Sequence, residues 1–368
     1  MNAEEQGAAQ PPDPEAAPPS CPACGSPVSP EDGFCEECGA DLKVRRAAPP
    51  DPVSPPCPQC GGSGYTDGYC DRCGRLAPSP RDRIERDLGP VAGVSDRGLR
   101  HSRNEDAMAF AVLDAPAGSA TSAIVVCDGV STSTDPDRAS QLGADTALEA
   151  LLLGLRRGEP AMESAGAAID AAQQAVTALA GEYPDRAAAP SCTIAVAVLE
   201  EGAVTVGWLG DSRVYWLAGD GAARRLTVDD TWAGQMIAEG AAAEEDAYRA
   251  PLAHAIVRWL GPDSPAGPAH LARFEPEGPG LVLVCSDGLW NYVWDAADLA
   301  TLVAERQGPA AKAALLTEVA LAAGGHDNIT AVLAQYPPAG PSAAREPQGT
   351  QTNTGEAPRV PPAEGSEP

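Results

Sequence analysis

Two short apolar runs, AIVVCDGVS at residues 123–131 and LVLVCSDGLW at residues 281–290, decide the fold of this chain. Each run has the Val, Ile and Leu content of a buried strand, and each ends in a turn that contains Asp-Gly. Two such strands can bring their aspartates to one edge of a sandwich of sheets. Further acids lie in RNED at 103–106, before the first run, and in GHDN at 325–328, after the second. Clustered carboxylate oxygens suit Mg²⁺ or Mn²⁺ and not zinc, so the pattern predicts a site for hard divalent cations.

The periodicity of the sequence predicts an α+β fold between Gly89 and about Tyr336. Runs rich in Val and Ile predict strands at 91–94, 107–113, 123–127, 192–199, 203–209, 213–217, 281–285 and 329–335. Ala and Leu at helical spacing predict helices at 138–157, 161–181, 231–240, 296–306 and 309–323. Glu-Gly at 201–202 and Gly-Asp-Gly at 219–221 have the composition of hairpin turns. This alternation favours two sheets packed face to face with helices outside.

Eight of the eleven cysteines form two clusters near the N-terminus. They are Cys21, Cys24, Cys35 and Cys38, followed by Cys57, Cys60, Cys70 and Cys73. A glycine follows each CxxC pair, which lets the backbone turn its N–H groups toward the sulfurs. Four thiolates fit tetrahedral zinc, so we predict two zinc ribbons, at 21–40 and 57–75, with one structural Zn²⁺ each. The alternative, a disulfide framework, is disfavoured by adjacent CxxC pairs without a signal peptide. Cys127, Cys192 and Cys285 are predicted to be buried core residues.

The charge of the chain disfavours several classes of partner. A net charge of −27 and a pI near 4.3 argue against nucleic acid and anionic membranes, which attract clustered Lys and Arg. Residues 1–76 hold 5 Lys or Arg against 12 Asp or Glu, so the predicted ribbons have no basic patch. No run approaches the roughly 18 apolar residues of a membrane span. The acidic N-terminus lacks the features of a signal peptide, and we expect a cytoplasmic protein.

The remaining segments are assigned from their composition. Residues 1–20 are rich in Pro, Ala and Glu, residues 337–368 in Pro, Gly, Thr and Glu, and we expect both to be disordered. Residues 76–88 are polar with charges that cancel, and we expect a linker. One large domain, residues 89–336, then remains.

In this large domain the sequence resembles the metal-dependent serine/threonine protein phosphatases of the type 2C (PPM) family, in their bacterial form. The matching motifs, in family order, are RNED at 103–106, CDG at 127–129, GDSRVYWL at 210–217, LTVDDTW at 226–232, CSDGLW at 285–290 and HDNIT at 326–330. One Asp-Gly pair would be weak evidence, but six motifs in order are specific. The resemblance covers about two-thirds of the chain and implies a four-layer α/β/β/α sandwich.

The resemblance also implies a centre of two Mn²⁺ or Mg²⁺ ions bridged by a water or hydroxide. Asp128 would bridge both ions, and the carbonyl of Gly129 would bind one of them. Asp287 and Asp327 would complete the ligands of the first ion, and Glu105 would hold the second through water. Two such cations lower the pKa of the bridging water and neutralise phosphoryl oxygens, so no cysteine nucleophile is needed.

The catalytic candidates are Asp106, Arg103 and His101. Asp106 is expected to support the metal ligands. The family often has a phosphate-binding arginine four residues before the glutamate; here that position is His101, between Arg100 and Arg103. Either arginine, or a protonated His101, is a candidate to bind the substrate phosphate. Bacterial members use a third metal ion, for which Asp185 is the nearest candidate ligand.

Several residues near these motifs have structural interpretations. Gly210–Arg213 is expected to build a hairpin beside the site, with a structural Asp–Arg pair. Asn328 is expected to hydrogen-bond the backbone around the metal loop without binding metal. His254 and His326 are expected to pack in loops.

These features predict a phosphatase acting on phosphoserine or phosphothreonine in proteins, with ribbons that dock an unidentified protein partner. The alternative is a catalytically weak phosphoprotein-binding scaffold, suggested by His101 and by Val130–Ser133 after the first Asp-Gly. The complete set of five acids argues against a decayed site. A nucleic-acid role for the ribbons is opposed by their negative charge.

Overall fold

The structure is a computed structural model that describes residues 20–21, 24–29, 32–39, 41–47, 55–114, 120–218 and 222–338. The expectations for residues 1–19 and 339–368, and for the turn at 219–221, lie outside the described residues. Among the described helices, none combines the length and the apolar character needed to span a membrane.

The described elements include fourteen strands and seven α-helices. The strands are β1 (Val44–Arg46), β2 (Tyr65–Thr66), β3 (Tyr69–Cys70), β4 (Arg83–Asp87), β5 (Val91–Asp96), β6 (Ala107–Asp114), β7 (Ala120–Cys127), β8 (Ile194–Glu200), β9 (Ala203–Leu209), β10 (Arg213–Ala218), β11 (Arg224–Arg225), β12 (His270–Phe274), β13 (Gly280–Cys285) and β14 (Ile329–Tyr336). The helices are α1 (Pro136–Arg156), α2 (Ala161–Leu179), α3 (Trp232–Ala238), α4 (Glu244–Ala247), α5 (Asp287–Trp290), α6 (Ala296–Val303) and α7 (Gly308–Ala322). All eight predicted strands and all five predicted helices are present, with shifted ends.

Two six-stranded sheets form the middle of the molecule. The first has the order β1-β6-β7-β8-β9-β12, and the second has the order β11-β10-β13-β14-β5-β4. Helices α1 and α2 cover the first sheet, and α6 and α7 cover the second. The predicted four-layer α/β/β/α sandwich is therefore confirmed.

Strand β7 shows why the run AIVVC at residues 123–127 is apolar at every position. Ile124 and Val126 pack between the sheets, whereas Val125 and Cys127 pack under α1 and α2. Successive side chains of a strand point to opposite faces, so a strand covered on both sides needs an apolar residue at each position. Each fully buried Val or Ile contributes about 1.5–3 kcal/mol to folding.

Six of the fourteen strands lie where the sequence predicts none: β1, β2, β3, β4, β11 and β12. Residues 76–88 were expected to be a linker, but Arg83–Asp87 form β4, which pairs antiparallel with β5 over five residues. Strand β1 pairs with the far end of β6 in the same way. Both are short, charged strands at sheet edges, where polar side chains are common and the hydrophobic alternation that identifies a strand is lost.

The predicted hairpin at Glu201-Gly202 is confirmed. Glu200 pairs with Ala203, so these two residues alone connect β8 to β9, and Gly202 has a φ of +85°. Glycine adopts this left-handed conformation without steric cost.

Candidate metal centre

The register of the sheets brings four aspartates to one edge of the sandwich. Ala107 pairs with Cys127 across β6 and β7, so Asp106 and Asp128 lie one residue beyond this pair. On the second sheet β13 pairs with β14, which places Asp287, just after β13, and Asp327, just before β14, at a common end. The antiparallel pairing therefore gathers acids that are distant in sequence.

Asp106 joins the two sheets at this edge. Its Oδ2 atom accepts hydrogen bonds from Ser286 Oγ at 2.8 Å and Thr330 Oγ1 at 2.7 Å, both on the second sheet's side. Its Oδ1 atom is buried and has no hydrogen-bond partner among the described residues. A buried carboxylate oxygen without a partner is costly unless another group neutralises it. This arrangement fits a bound cation nearby.

The carboxylates raise one another's pKa values. Burial raises the pKa of Asp106 to about 7, against hydrogen bonds that lower it, and the charges of Asp327 and Asp287 add to the rise. Burial and then the charge of Asp327 raise the pKa of Asp287 to about 6. Burial, Asp106 and Asp287 raise the pKa of Asp128 well above its ordinary value. Crowded acids of this kind need divalent cations to be fully ionised at neutral pH.

Asn328 connects the loop of Glu105 to the loop of Asp327. Its Oδ1 accepts the Glu105 backbone N–H at 2.7 Å, and its Nδ2 donates to the carbonyls of Arg97 at 2.8 Å and Arg103 at 3.1 Å. The expectation that Asn328 hydrogen-bonds the backbone around the metal loop is confirmed.

Gly288 allows helix α5 to approach this loop. A Cβ atom at Gly288 would lie 1.9 Å from the carbonyl oxygen of Asn328, a contact that no side chain can make. Asp287 is the first residue of α5, where the sequence predicts a turn after a strand. The Asp-Gly pair therefore combines a carboxylate with close backbone packing.

His101 and Arg103 both contact the expected metal ligands. His101 Nε2 lies 3.1 Å from Asp327 Oδ1, and its Nδ1 lies 3.9 Å from Glu105 Oε2. Arg103 lies 3.1 Å from Glu105, 3.2 Å from Asp137 and 3.5 Å from Asp135. The charge of Arg103 is thus already balanced by several carboxylates.

Two other acids are placed differently from expectation. Asp185, the candidate for a third metal ion, is exposed in the turn before a short 3₁₀ helix at Arg186–Ala188. Asp211 is buried, and burial together with the charge of Asp287 raises its pKa well above the ordinary value. Its sequence signal, an Asp two residues after a buried strand, is the same kind that identified Asp287.

The sequence predicts an Asp211–Arg213 pair within Gly210–Arg213, but the carboxylate that pairs with Arg213 is Asp229. Arg213 Nη2 lies 2.6 Å from Asp229 Oδ2 and its Nε lies 2.9 Å from Asp229 Oδ1, with both side chains fully buried. The Arg213 guanidinium also lies 3.6 Å from the ring centre of Trp290 on α5. The pair is structural, as expected, but joins β10 to a later segment.

The two histidines pack in loops. His254 lies near the rings of Tyr248 and Trp290, and His326 is exposed, its backbone N–H donating to Tyr292 Oη.

Within the described residues, three or more ligand atoms within 4.8 Å of one another occur only in the cysteine clusters. Among the described residues, no three carboxylates therefore place one oxygen each within 4.8 Å of one another.

Comparison with known proteins identifies the family. The family model described as "Protein phosphatase 2C" matches residues 97–322. The chain belongs to this family. The serine/threonine protein phosphatase PstP of Mycobacterium tuberculosis (strain CDC 1551 / Oshkosh) is 31% identical over 247 residues, which are 66% of this chain and 44% of PstP. The chain thus spans less than half of that relative.

Solved structures of phosphatases confirm the fold. A crystal structure of Mycobacterium tuberculosis PstP has a TM-score of 0.56 at 29% identity and covers 66% of this chain and 97% of the crystallised one. A second, of the PstP catalytic domain in complex with two manganese ions, has a TM-score of 0.52 at 27% identity, covering 67% and 97%.

The protein phosphatase 2C match begins at residue 97, after both cysteine clusters. In the first cluster Sγ–Sγ distances are 3.7 Å for Cys21–Cys38 and 3.6 Å for Cys24–Cys35. In the second cluster Cys57–Cys73 and Cys60–Cys70 are both 3.5 Å. A tetrahedron with Zn–S bonds near 2.3 Å has edges of about 3.8 Å, so both clusters fit zinc. None of the eleven cysteines forms a disulfide.

The same backbone turn occurs at all four CxxC pairs. The glycine after each pair donates its N–H to the carbonyl of the first cysteine at 2.8 Å, with φ between +69° and +76°. Hydrogen bonds at Ser26 lower the pKa of Cys24 to about 6, and a backbone hydrogen bond at Gln59 lowers that of Cys57 to about 6. Against a backbone hydrogen bond at Arg75 that lowers it, burial and hydrogen bonds with the other three thiols of its cluster raise the pKa of Cys73. In each cluster one thiol thus ionises readily, which suits metal binding. Cys127, Cys192 and Cys285 are buried in the core, as predicted.

Proposed function

We propose that the chain is a metal-dependent protein phosphatase that hydrolyses phosphoserine and phosphothreonine in proteins. The observation that supports this proposal is the cluster of buried carboxylates with raised pKa values, at the motifs that match the family. Glu105, Asp128, Asp287 and Asp327, with the Gly129 carbonyl, would hold two Mn²⁺ or Mg²⁺ ions. Such ions would neutralise phosphoryl oxygens and lower the pKa of a bound water, which is the chemistry that hydrolysis of a phosphate ester needs.

The chain's own residues hold these ligands in place. Asp106 is fixed by hydroxyl groups of the opposite sheet, so that its free oxygen keeps one orientation. Arg103 lies against Glu105, and Ser131 Oγ donates to the same carboxylate at 2.8 Å. The Glu105 side chain is therefore oriented before any ion or substrate binds.

His101 and Arg103 remain the candidates to bind the substrate phosphate. Arg103 is 44% exposed and can turn one N–H toward solvent while it keeps its carboxylate contacts. His101 lies beside Asp327 and would add a second donor at the same opening. Asp185 remains a candidate ligand for a third ion, although its exposure offers little support.

We also propose that each cysteine cluster holds one structural Zn²⁺ and that the ribbons bind a protein partner. Because each zinc would have four cysteine ligands, no position is open for catalysis. A cytoplasmic location and the absence of nucleic-acid and membrane partners stay predictions from charge and sequence.

The test is hydrolysis of a phosphothreonine peptide with Mn²⁺, with Mg²⁺ and without either, by the full chain. Turnover should require the added ion and should be lost in Asp128→Ala and Asp287→Asn. Asp170→Asn, on the exposed side of α2, is the matched control and should keep full activity. A folded protein without turnover but with phosphopeptide binding would replace the phosphatase by the scaffold alternative.

A further inference from the structure

The segment that follows the second cysteine cluster reaches the metal centre. The last ribbon contact along the chain is the Ala77 N–H, which donates to the Gly68 carbonyl at 2.8 Å. Only Pro78, Ser79 and Pro80 separate this contact from Arg81. Two prolines in three residues restrict the backbone, so the ribbon and Arg81 are connected by a short, stiff segment.

Arg81 contacts both neighbours of Glu105. Its Nη2 donates to the Asp106 carbonyl at 3.2 Å, and its own carbonyl accepts Asn104 Nδ2 at 3.0 Å. Its Nη1 donates to Gln141 Oε1 on α1 at 2.7 Å. One side chain thus ties the loop of Glu105 and Asp106 to a long helix.

The residues around Arg81 hold it in place. Ser79 Oγ accepts the Arg81 N–H at 3.2 Å, and Asp82 Oδ2 accepts the Ser79 N–H at 3.1 Å, which closes a tight turn. The Asp82 carbonyl accepts the Arg97 N–H at 2.7 Å, and its side chain lies 3.3 Å from Arg97 Nε. Arg83 pairs with Asp96 at 2.9 Å. The residues that make these contacts lie before the family match or at its first residue, Arg97.

The first cysteine cluster connects to the far end of β6, the strand that begins directly after Asp106. It leads into β1, which pairs with Ala111–Leu113 at the far end of β6, and Asp41 forms an ion pair with Arg156 at the end of α1. The metal centre lies before the start of β6. The two ribbons are therefore not equivalent in their relation to the metal centre.

We propose that Arg81 is a positioning residue for the metal-binding loop and that the second cysteine cluster, when it holds zinc, anchors Arg81. Zinc in this ribbon then supports the binding of Mn²⁺ at the carboxylates, whereas zinc in the first ribbon does not. This inference rests on the proposed dinuclear centre. Arg81 acts on the position of Glu105 and Asp106, so its loss weakens metal binding more than it slows turnover at saturating metal.

The experiment measures Mn²⁺ binding by titration calorimetry and amide hydrogen exchange of residues 103–107, using the full chain. Arg81→Ala should weaken Mn²⁺ binding about tenfold, as expected for two lost hydrogen bonds with a charged donor. It should also speed exchange of the Glu105 amide in the metal-free protein. With saturating Mn²⁺, kcat should stay within about twofold of the wild type. Arg86→Ala, on the far half of β4, is the matched control and should change neither quantity.

A second comparison tests the role of the ribbon. Cys73→Ser in the second cluster should weaken Mn²⁺ binding about as much as Arg81→Ala, and Cys38→Ser in the first cluster should not. The double variant with Arg81→Ala and Cys73→Ser should be no weaker than either single one, because both changes release the same loop. Arg81→Lys, which keeps one donor, should recover part of the affinity and serves if the alanine variant does not fold.

Two results would overturn the inference. Wild-type Mn²⁺ affinity and amide exchange in a folded Arg81→Ala or Arg81→Lys protein would remove the positioning role. Additive losses from Arg81→Ala and Cys73→Ser would remove the anchor. Failure of the wild-type chain itself to bind Mn²⁺ would instead reject the dinuclear centre, so the two failures are distinguishable.

Discussion

Replacing Asn328 with alanine tests the most connected side chain of the site. Its amide makes three hydrogen bonds to backbone groups of the Arg97–Glu105 loop, and the side chain is 2% exposed. Each lost hydrogen bond costs about 0.5–1.5 kcal/mol, and each buried group left without a partner costs about 1–3 kcal/mol. Water can enter the polar cavity and offset part of this loss. We therefore expect the free energy of unfolding to fall by about 3 kcal/mol.

Urea unfolding of the metal-free chain measures this change. With a denaturant slope of about 3 kcal/mol/M for a domain of this size, the midpoint should fall by about 1 M. Mn²⁺ binding should weaken as well, because the Glu105 loop loses its fixed position. Gln335→Ala, an exposed amide on β14, is the control for truncation and should change stability by less than about 0.5 kcal/mol.

Asn328→Asp separates hydrogen bonding from side-chain shape. It keeps the acceptor for the Glu105 N–H but replaces the donor to two carbonyls with an oxygen. We expect it to lose at least as much stability as the alanine variant at neutral pH. Wild-type stability and Mn²⁺ affinity in both variants would refute the view that Asn328 holds this loop.

Three further changes test other parts of the structure. Gly288→Ala should abolish metal-dependent activity and lower the free energy of unfolding by more than about 3 kcal/mol, because the added Cβ meets backbone. Gly181→Ala is the control, since its Cβ would enter open space, and it should be near neutral. Equal unfolding midpoints for Gly288→Ala and the wild type would contradict the close approach. Arg213→Met should lower the free energy of unfolding by about 3–5 kcal/mol, measured by thermal unfolding, because buried Asp229 loses its bidentate partner and keeps the Tyr248 hydroxyl and the more distant Arg225. Adding Asp229→Asn should restore part of the loss. Because the pKa of Asp106 is raised to about 7, the metal-free fold holds a proton that the unfolded chain releases near pH 4. The free energy of unfolding of the metal-free protein should therefore fall from pH 5 to pH 7.5. The thermal shift produced by Mn²⁺ should then be larger at pH 7.5 than at pH 5.5; the reverse order would show that the carboxylates are not crowded.

The parts of the fold that the sequence predicts are those with strong local signals. In β7 the run at residues 123–127 is apolar on both faces and Asp128 follows it directly, so the burial and the acid are both visible in one run of residues. The four CxxC-Gly repeats predict their own backbone turns, because the glycine has to adopt the left-handed conformation that the structure shows. Helices α1 and α2 are long enough for their spacing to be clear.

The parts that were missed depend on partners distant in sequence. Strand β4, with the sequence RIERD, becomes a strand only because β5 offers a free edge, and its own residues resemble a charged linker. Arg213 finds Asp229 sixteen residues later, although Asp211 is nearer in sequence. Nothing in the run around Arg81 indicates that it would contact Asp106, since that contact needs the folded positions of both sheets.

The crowded carboxylates have a consequence for the lifetime of the protein. Asp106, Asp128, Asp211 and Asp287 destabilise the fold whenever they are ionised together without a cation to neutralise them. Bound cations would reverse this penalty, so the open, protease-sensitive fraction should rise as the supply of Mn²⁺ or Mg²⁺ falls. Metal availability would then set how much of the protein survives degradation, in addition to how fast each molecule works.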